Sequence, residues 1–164
     1  RGVRMLAEPS HGRIGTFRLD DDDALSSDWV TRFRSASEPG TNSAPPAEVF
    51  GFENGWFLSA APDGCVRMCA TTRRLIACGL ARVSPRNPLR TIHSTSAAHD
   101  TLDDHLSTTH CGGPPAWIVT AHGRNDMGAF KTLTPVLTPA EAHMALGANF
   151  AELDIARLAV ALRD

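Results

Sequence analysis

The 164-residue chain has little of several features that would identify a protein class directly. Four cysteines are too few for a disulfide framework at this length, so reduced thiols in a cytosolic protein are expected. A net charge of −2 gives no electrostatic basis for binding nucleic acid or an anionic membrane. No apolar run approaches the roughly 18 residues that span a bilayer. Neither a Gly-rich phosphate loop nor a Gly-x-Ser-x-Gly elbow is present.

What is present is the composition of an ordinary globular domain, with 42% apolar and 21% charged residues. Short apolar strand patterns alternate with helix patterns and turn-rich stretches along the chain. We therefore expect a single α/β domain over residues 1–164, with a surface loop over 35–47 and two helices in the carboxyl-terminal stretch 138–164.

The most informative stretch is a run of four carboxylates, Asp20 to Asp23. It follows the apolar strand pattern of residues 14–19 and precedes a helix pattern. Four like charges repel, so the run is either a solvated loop or a cation site. Its position at the end of a strand favours a site for a hard divalent cation, Mg²⁺ or Mn²⁺, because a strand terminus holds the first carboxylate rigidly.

The helix after the acidic run is predicted to be capped by Ser26 and to bury one apolar face. The residues of that face are Leu25, Trp29, Val30 and Phe33. Further on, 49–58 reads as a strand pair bent at Asn54-Gly55, which would make 48–71 an antiparallel meander.

Two helices are predicted near the end of the chain. Thr138 and Glu141 form a capping box at the start of the first. The second is predicted over 150–162, with caps at Asn149 and Glu152 and a buried face of Leu153, Ala156 and Val160.

The segment Arg18-Leu19-Asp20-Asp21-Asp22-Asp23-Ala24-Leu25 resembles the Asp-x-Asp region of GT-A-type glycosyltransferases. More narrowly, it resembles a bacterial family of putative rhamnosyltransferases with an Arg-x-Asp-Asp-Asp-Asp-Ala run. Pro115-Ala116-Trp117-Ile118-Val119, leading to His122-Gly123-x-Asn125, adds to the similarity. The resemblance implies a GT-A-like mixed sheet flanked by helices. It also implies an enzyme that moves a sugar, rhamnose in this family, from a nucleotide-sugar donor to a carbohydrate or glycan acceptor.

The resemblance also implies roles for individual residues. Asp20 and Asp22 would hold Mg²⁺ or Mn²⁺ against the donor diphosphate, and His122 would be a further metal ligand. The cation would stabilise the negative charge of the departing nucleoside diphosphate. An inverting transfer needs a carboxylate base, for which Asp100 is the first choice. The other candidate bases are Asp103, Asp104 and Glu53.

Three alternatives stay open from the sequence. The acidic loop could serve a non-catalytic carbohydrate- or metal-binding module, or a phosphotransfer enzyme. A zinc site is a third reading, and its candidate ligands are His99, His105, His110 and Cys111. In the family's fold, nucleotide-binding βαβ units precede the Asp-x-Asp strand, so we expect the sequence to be the carboxyl-terminal portion of that fold.

Overall fold

The computed structural model describes residues 2–5, 12–38, 47–85, 89–94, 97–121 and 134–162. The strands are β1 (Gly2–Met5), β2 (Arg13–Leu19), β3 (Ala24–Leu25), β4 (Val49–Phe52), β5 (Asn54–Ala60), β6 (Val66–Thr72), β7 (Ala81–Pro85), β8 (Thr108–Cys111), β9 (Trp117–Ala121) and β10 (Val136–Leu137). The helices are α1 (Trp29–Ser37), α2 (Pro139–Leu146) and α3 (Ile155–Ala161). Short 3₁₀ turns cover Pro62–Gly64, Ile92–Ser94, His99–Asp104 and Ala148–Phe150.

Within the described residues the strands form two five-stranded sheets. The first sheet has the order β1-β2-β7-β4-β8, and the second has the order β10-β6-β5-β9-β3. Both are mixed, because β4 runs parallel to β8 and β5 runs parallel to β9, while the other pairs are antiparallel. Helix α1 contacts β4, and α2 and α3 contact the second sheet. The predicted α/β class, with mixed sheets flanked by helices, is confirmed.

The predicted hairpin between β4 and β5 is wrong. These strands are separated only by Glu53, yet β4 pairs with β7 and β8 whereas β5 pairs with β6 and β9. Gly55 is therefore not a turn residue. It lies beside Trp117 on β9, and a Cβ on Gly55 would overlap the indole ring. The antiparallel part of the predicted meander is confirmed for β5 and β6 alone.

An aromatic core joins α1 to both sheets. Trp29 is 1% exposed, and its ring lies 4.9 Å from that of Phe17 and 5.3 Å from that of Phe33. Phe50 and Phe52 of β4 pack against the same two helix residues. Burying each such side chain contributes roughly 1.5–3 kcal/mol, so this cluster is a main source of the stability that holds the acidic connection in place.

The predicted start of α1 is two residues too early. Its first helical residue is Trp29, with Asp28 at the N-cap position, and the Ser26 hydroxyl donates to the Asp28 carboxylate at 2.6 Å instead of capping the helix. Trp29 and Phe33 are buried as predicted, but Val30 is exposed. Since α1 continues to Ser37, the predicted surface loop over 35–47 begins too early; residues 39–46 lie outside the described part.

The carboxyl-terminal helices are partly as predicted. Thr138 and Glu141 form the capping box of α2. The second helix is shorter than predicted, because Asp154 caps α3 through a bond from the Arg157 N–H at 3.0 Å. Its buried residues are Ile155 and Ala159, and the predicted Ala156 and Val160 are exposed. No helix in the described ranges is long and apolar enough to cross a membrane.

Candidate active site

A cavity of about 480 Å³ lies where two connections between the sheets meet. Residues 20–23 lead from β2 in the first sheet to β3 in the second, and residues 73–80 lead back from β6 to β7. Strands β5 and β9 and the turn that begins at His99 also line it. Its volume lies in the usual range for small-molecule sites.

The acidic run is held against β9 by backbone bonds. The Asp23 N–H donates to the Asp20 carbonyl at 3.3 Å, and β3 then pairs with β9. The Thr120 hydroxyl donates to the Asp22 carbonyl at 2.6 Å. With the backbone held in this way, Asp20, Asp22 and Asp23 line the cavity, whereas Asp21 is exposed.

Asp20, the first residue after β2, is paired with Arg18, two residues earlier. The Arg18 Nη2 atom lies 2.7 Å from Oδ2 of Asp20, and Nε lies 3.3 Å from Oδ1. This two-pronged contact is the strong form of an arginine–carboxylate pair. The charge of Asp20 is therefore already largely offset within the protein.

The ionisation of Asp23 is strongly perturbed. Burial, followed by repulsion from Asp22 and Asp20, raises the pKa of Asp23 from 3.8 to about 7. Two hydrogen bonds act in the opposite direction and lower the pKa in part. They come from the Thr120 N–H, whose nitrogen lies 3.4 Å from Oδ1, and from the Cys78 thiol. Burial likewise raises the pKa of the Cys78 thiol, so it stays protonated beside Asp23. Three carboxylates, those of Asp20, Asp22 and Asp23, therefore share one wall of the cavity.

The same lining fits a divalent cation of the kind that completes its shell with ligand phosphates and waters. Among the described residues, no group of three or more histidine, cysteine, aspartate or glutamate side chains is arranged to hold a metal ion by itself. Mg²⁺ is commonly held by one or two carboxylates together with substrate phosphates, rather than by a complete protein cage. Asp22 and Asp23 could supply such carboxylates. Burial and then repulsion from Asp22 raise the pKa of Asp23, and a cation would relieve the repulsion.

Of the four candidate bases, Asp100 lines this cavity, next to His99 at the start of the 3₁₀ turn. Asp103 belongs instead to a separate network, where it accepts from Thr108 and lies 3.1 Å from Nε2 of His110 and 3.3 Å from Arg74. The hydrogen bond from Thr108 lowers the pKa of Asp103, and His110 and Arg74 lower it further. Neither Asp104 nor Glu53 is among the cavity-lining residues.

The histidines divide among different surroundings. His122, the predicted further metal ligand, lies outside the described residues. His99 lines the cavity and His105 is exposed. His110 bonds through Nδ1 to the Arg74 carbonyl at 3.0 Å. The zinc cluster considered as an alternative is therefore not assembled in the part of the chain that the structure describes.

The polar cavity residues that the sequence did not predict include Arg18, Arg73, Cys78 and Thr120. The opposite charges of Arg18 and Asp20, two residues apart, are a local signal for their pairing. Arg73 and Cys78 carry no such local signal. They reach the cavity through the long connection from β6 to β7.

Comparison with known proteins found one family over most of the chain. The model of a family described as "Putative rhamnosyl transferase" matches residues 1–132. Neither the curated proteins nor the solved structures contain a significant match.

Proposed function

Because the chain belongs to the family described as "Putative rhamnosyl transferase", we propose that it is a glycosyltransferase whose site is the cavity at the acidic run. The expected reaction moves a sugar, rhamnose by the family description, from a nucleotide-sugar donor to a hydroxyl of a carbohydrate acceptor. One observation carries the proposal. Asp20, Asp22 and Asp23 line the same cavity as Asp100, which is distant in sequence.

The donor would be held at the acidic wall of the cavity. Asp22 would be the leading carboxylate for Mg²⁺ or Mn²⁺, with Asp20 beside it in its pair with Arg18. When bound, such an ion offsets the negative charge that gathers on a departing nucleoside diphosphate. Asp23 would contribute a second negative charge to the wall, and His122 remains a proposed further ligand.

The chain's own part in the transfer is proton handling and positioning. In an inverting transfer, Asp100 accepts the proton of the acceptor hydroxyl as the acceptor oxygen bonds to the anomeric carbon and the bond to the phosphate oxygen breaks. The apolar part of the lining includes Phe57, Ile76 and Val119, and a bound sugar would displace water from it. Lower water content strengthens the electrostatic contacts there.

The test is Mn²⁺ and nucleotide binding measured by calorimetry with UDP, GDP and dTDP. The full chain should bind at least one of them more tightly with Mn²⁺ than with EDTA. Asp22→Asn should remove that gain, a loss of about tenfold or more in affinity. Asp21→Asn is the matched control, because Asp21 is the exposed member of the same run.

Two results would count against the proposal. Equal Mn²⁺-dependent affinity in Asp22→Asn and Asp21→Asn would remove Asp22 from the site. Mn²⁺ binding that no nucleoside diphosphate affects would favour the non-catalytic metal-binding module instead.

A further inference from the structure

Arg73 is the cavity residue that the proposed function leaves without a role. Its side chain is exposed and lines the cavity at the start of the connection from β6 to β7. Within the described residues its guanidinium has no hydrogen bond or ion pair, whereas that of the other lining arginine, Arg18, is paired with Asp20. Its neighbour Arg74 points elsewhere, to Asp103 at 3.3 Å.

The backbone of Arg73 is held by a hydrogen bond, although its side chain has no partner among the described residues. Its N–H donates to the Glu53 carbonyl at 2.7 Å, which ties the connection to the junction of β4 and β5. Leu75, two residues later, is buried against Gly51, where an added Cβ would lie 2.9 Å from the Leu75 side chain. The guanidinium is therefore carried on an anchored segment at the rim of the cavity.

The charges on the two inter-sheet connections differ in sign. Residues 20–23 bring carboxylates, which repel phosphate unless a cation intervenes. Arg73 brings a permanent positive charge with several N–H donors in a planar fork, the geometry that binds phosphate oxygens directly. One ligand can satisfy both walls: a group with several negatively charged oxygens that contacts a cation on one side and a guanidinium on the other.

We propose that Arg73 is a second, metal-independent contact for the diphosphate group of the donor. This inference rests on the proposed function for the identity of the ligand. It adds that diphosphate affinity has two separable parts, one that needs a divalent cation and Asp22, and one that needs Arg73 alone. Arg73 is then a positioning residue, which holds the leaving group while the bond to the sugar breaks.

The experiment uses inorganic pyrophosphate as the probe, because it carries the diphosphate chemistry without a base or a sugar. Affinity is measured by calorimetry on the full chain in EDTA and again in Mn²⁺. In EDTA, Arg73→Gln should weaken binding about tenfold or more, since it removes charge-assisted hydrogen bonds. Arg73→Lys should recover part of the loss, because it restores the charge without the fork.

Two matched variants separate this contact from general effects of charge. Arg74→Gln removes the neighbouring arginine, which does not line the cavity, and should bind pyrophosphate in EDTA as the wild type does. Asp22→Asn should bind as well as or better than the wild type in EDTA, because it removes a repelling carboxylate. Thermal melting of each variant checks that the fold is retained.

The inference is overturned if the wild type shows no pyrophosphate binding in EDTA, or if Arg73→Gln binds as the wild type does there. A different result would count against the proposed function: with Mn²⁺ present, Asp22→Asn would bind pyrophosphate as tightly as the wild type does. An Arg73→Gln variant that loses affinity in EDTA but keeps the full Mn²⁺-dependent gain supports both.

Discussion

Replacing Asp23 by asparagine should stabilise the protein in a way that depends on pH. Burial and the nearby Asp22 raise the pKa of Asp23 from 3.8 to about 7 in the folded chain. At neutral and alkaline pH, folding therefore works against the ionised form of this carboxyl. Asparagine has nearly the same shape and cannot ionise, so it keeps the packing and removes that cost.

The sign follows from proton binding. Below pH 3.8 the carboxyl is protonated in both states and costs nothing. As the pH rises from there toward 7, the unfolded chain releases the proton while the folded chain retains it, so the free energy of unfolding falls. Above the pKa that Asp23 has in the folded chain, the free energy of unfolding falls no further from this cause. Asp23→Asn should match the wild type at low pH and exceed it increasingly up to neutrality.

The two pKa values set an upper limit on the gain in the free energy of unfolding. A rise from 3.8 to about 7 corresponds to about 4 kcal/mol when the group is fully ionised. Asp23 is only partly buried, so water reduces this, and about 1–2 kcal/mol is the expected gain at pH 8.5.

Urea unfolding in EDTA, at about pH 4.5 and pH 8.5, measures the free energy of unfolding of the variant and of the wild type at each pH. Asp21→Asn is the control, because Asp21 is exposed, and it should change stability by less than about 0.5 kcal/mol. A gain for Asp23→Asn that is equal at both pH values would refute the reasoning. So would a loss of stability at pH 8.5.

Two further predictions concern the fold. Gly55→Ala should destabilise the protein by about 1–3 kcal/mol or more in urea unfolding, because the added methyl would overlap the ring of Trp117, which is 0% exposed. Gly112→Ala, where no atom lies within 4 Å of the added Cβ, should be nearly neutral, and equal losses in the two variants would contradict the close approach. Thr138→Ala should lower stability by about 0.5–2 kcal/mol, because it removes the hydroxyl that accepts the Glu141 N–H at 3.3 Å. A Thr138→Ser variant that restores the loss would identify the cap as its cause.

Local signals predicted the elements around the acidic run, and long-range pairing decided the rest. The apolar pattern of β2 and the capping box at Thr138 depend on neighbours within a few residues, and both are present as predicted. The prediction of a hairpin at Asn54-Gly55 is wrong because it depends on the turn residues alone and ignores the other strands with which β4 and β5 can pair. β4 and β5 instead pair in parallel with β8 and β9, which come much later in the chain.

The helix errors have local causes. Ser26 was predicted as a cap on residue type alone, but its hydroxyl bonds to Asp28, and β3 occupies the residues just before it. Val30 is apolar and exposed, and Val160 is 62% exposed, so the helical pattern overestimated both buried faces. Single apolar side chains are common on protein surfaces, and the period alone does not reveal which ones.

At the candidate site, too, the sequence predicted some features and only the structure shows the others. Asp20, Asp22 and Asp100 were selected from a resemblance and share one cavity. The sequence did not predict that Arg18 would engage both oxygens of Asp20. It also did not predict that the pKa of Asp23 would be raised.

The Arg18 pair changes how the two predicted metal carboxylates should be weighted. Asp20 contacts Arg18 at 2.7 Å, so a cation near it would have to share its oxygens with a guanidinium that repels the ion. After burial, the repulsion between Asp22 and Asp23 is a cause of the raised pKa of Asp23. If the proposed cation binds, contact with Asp22 and Asp23 would relieve that repulsion, whereas contact with Asp20 would compete with Arg18. The proposed metal contact is therefore better tested at Asp22 than at Asp20.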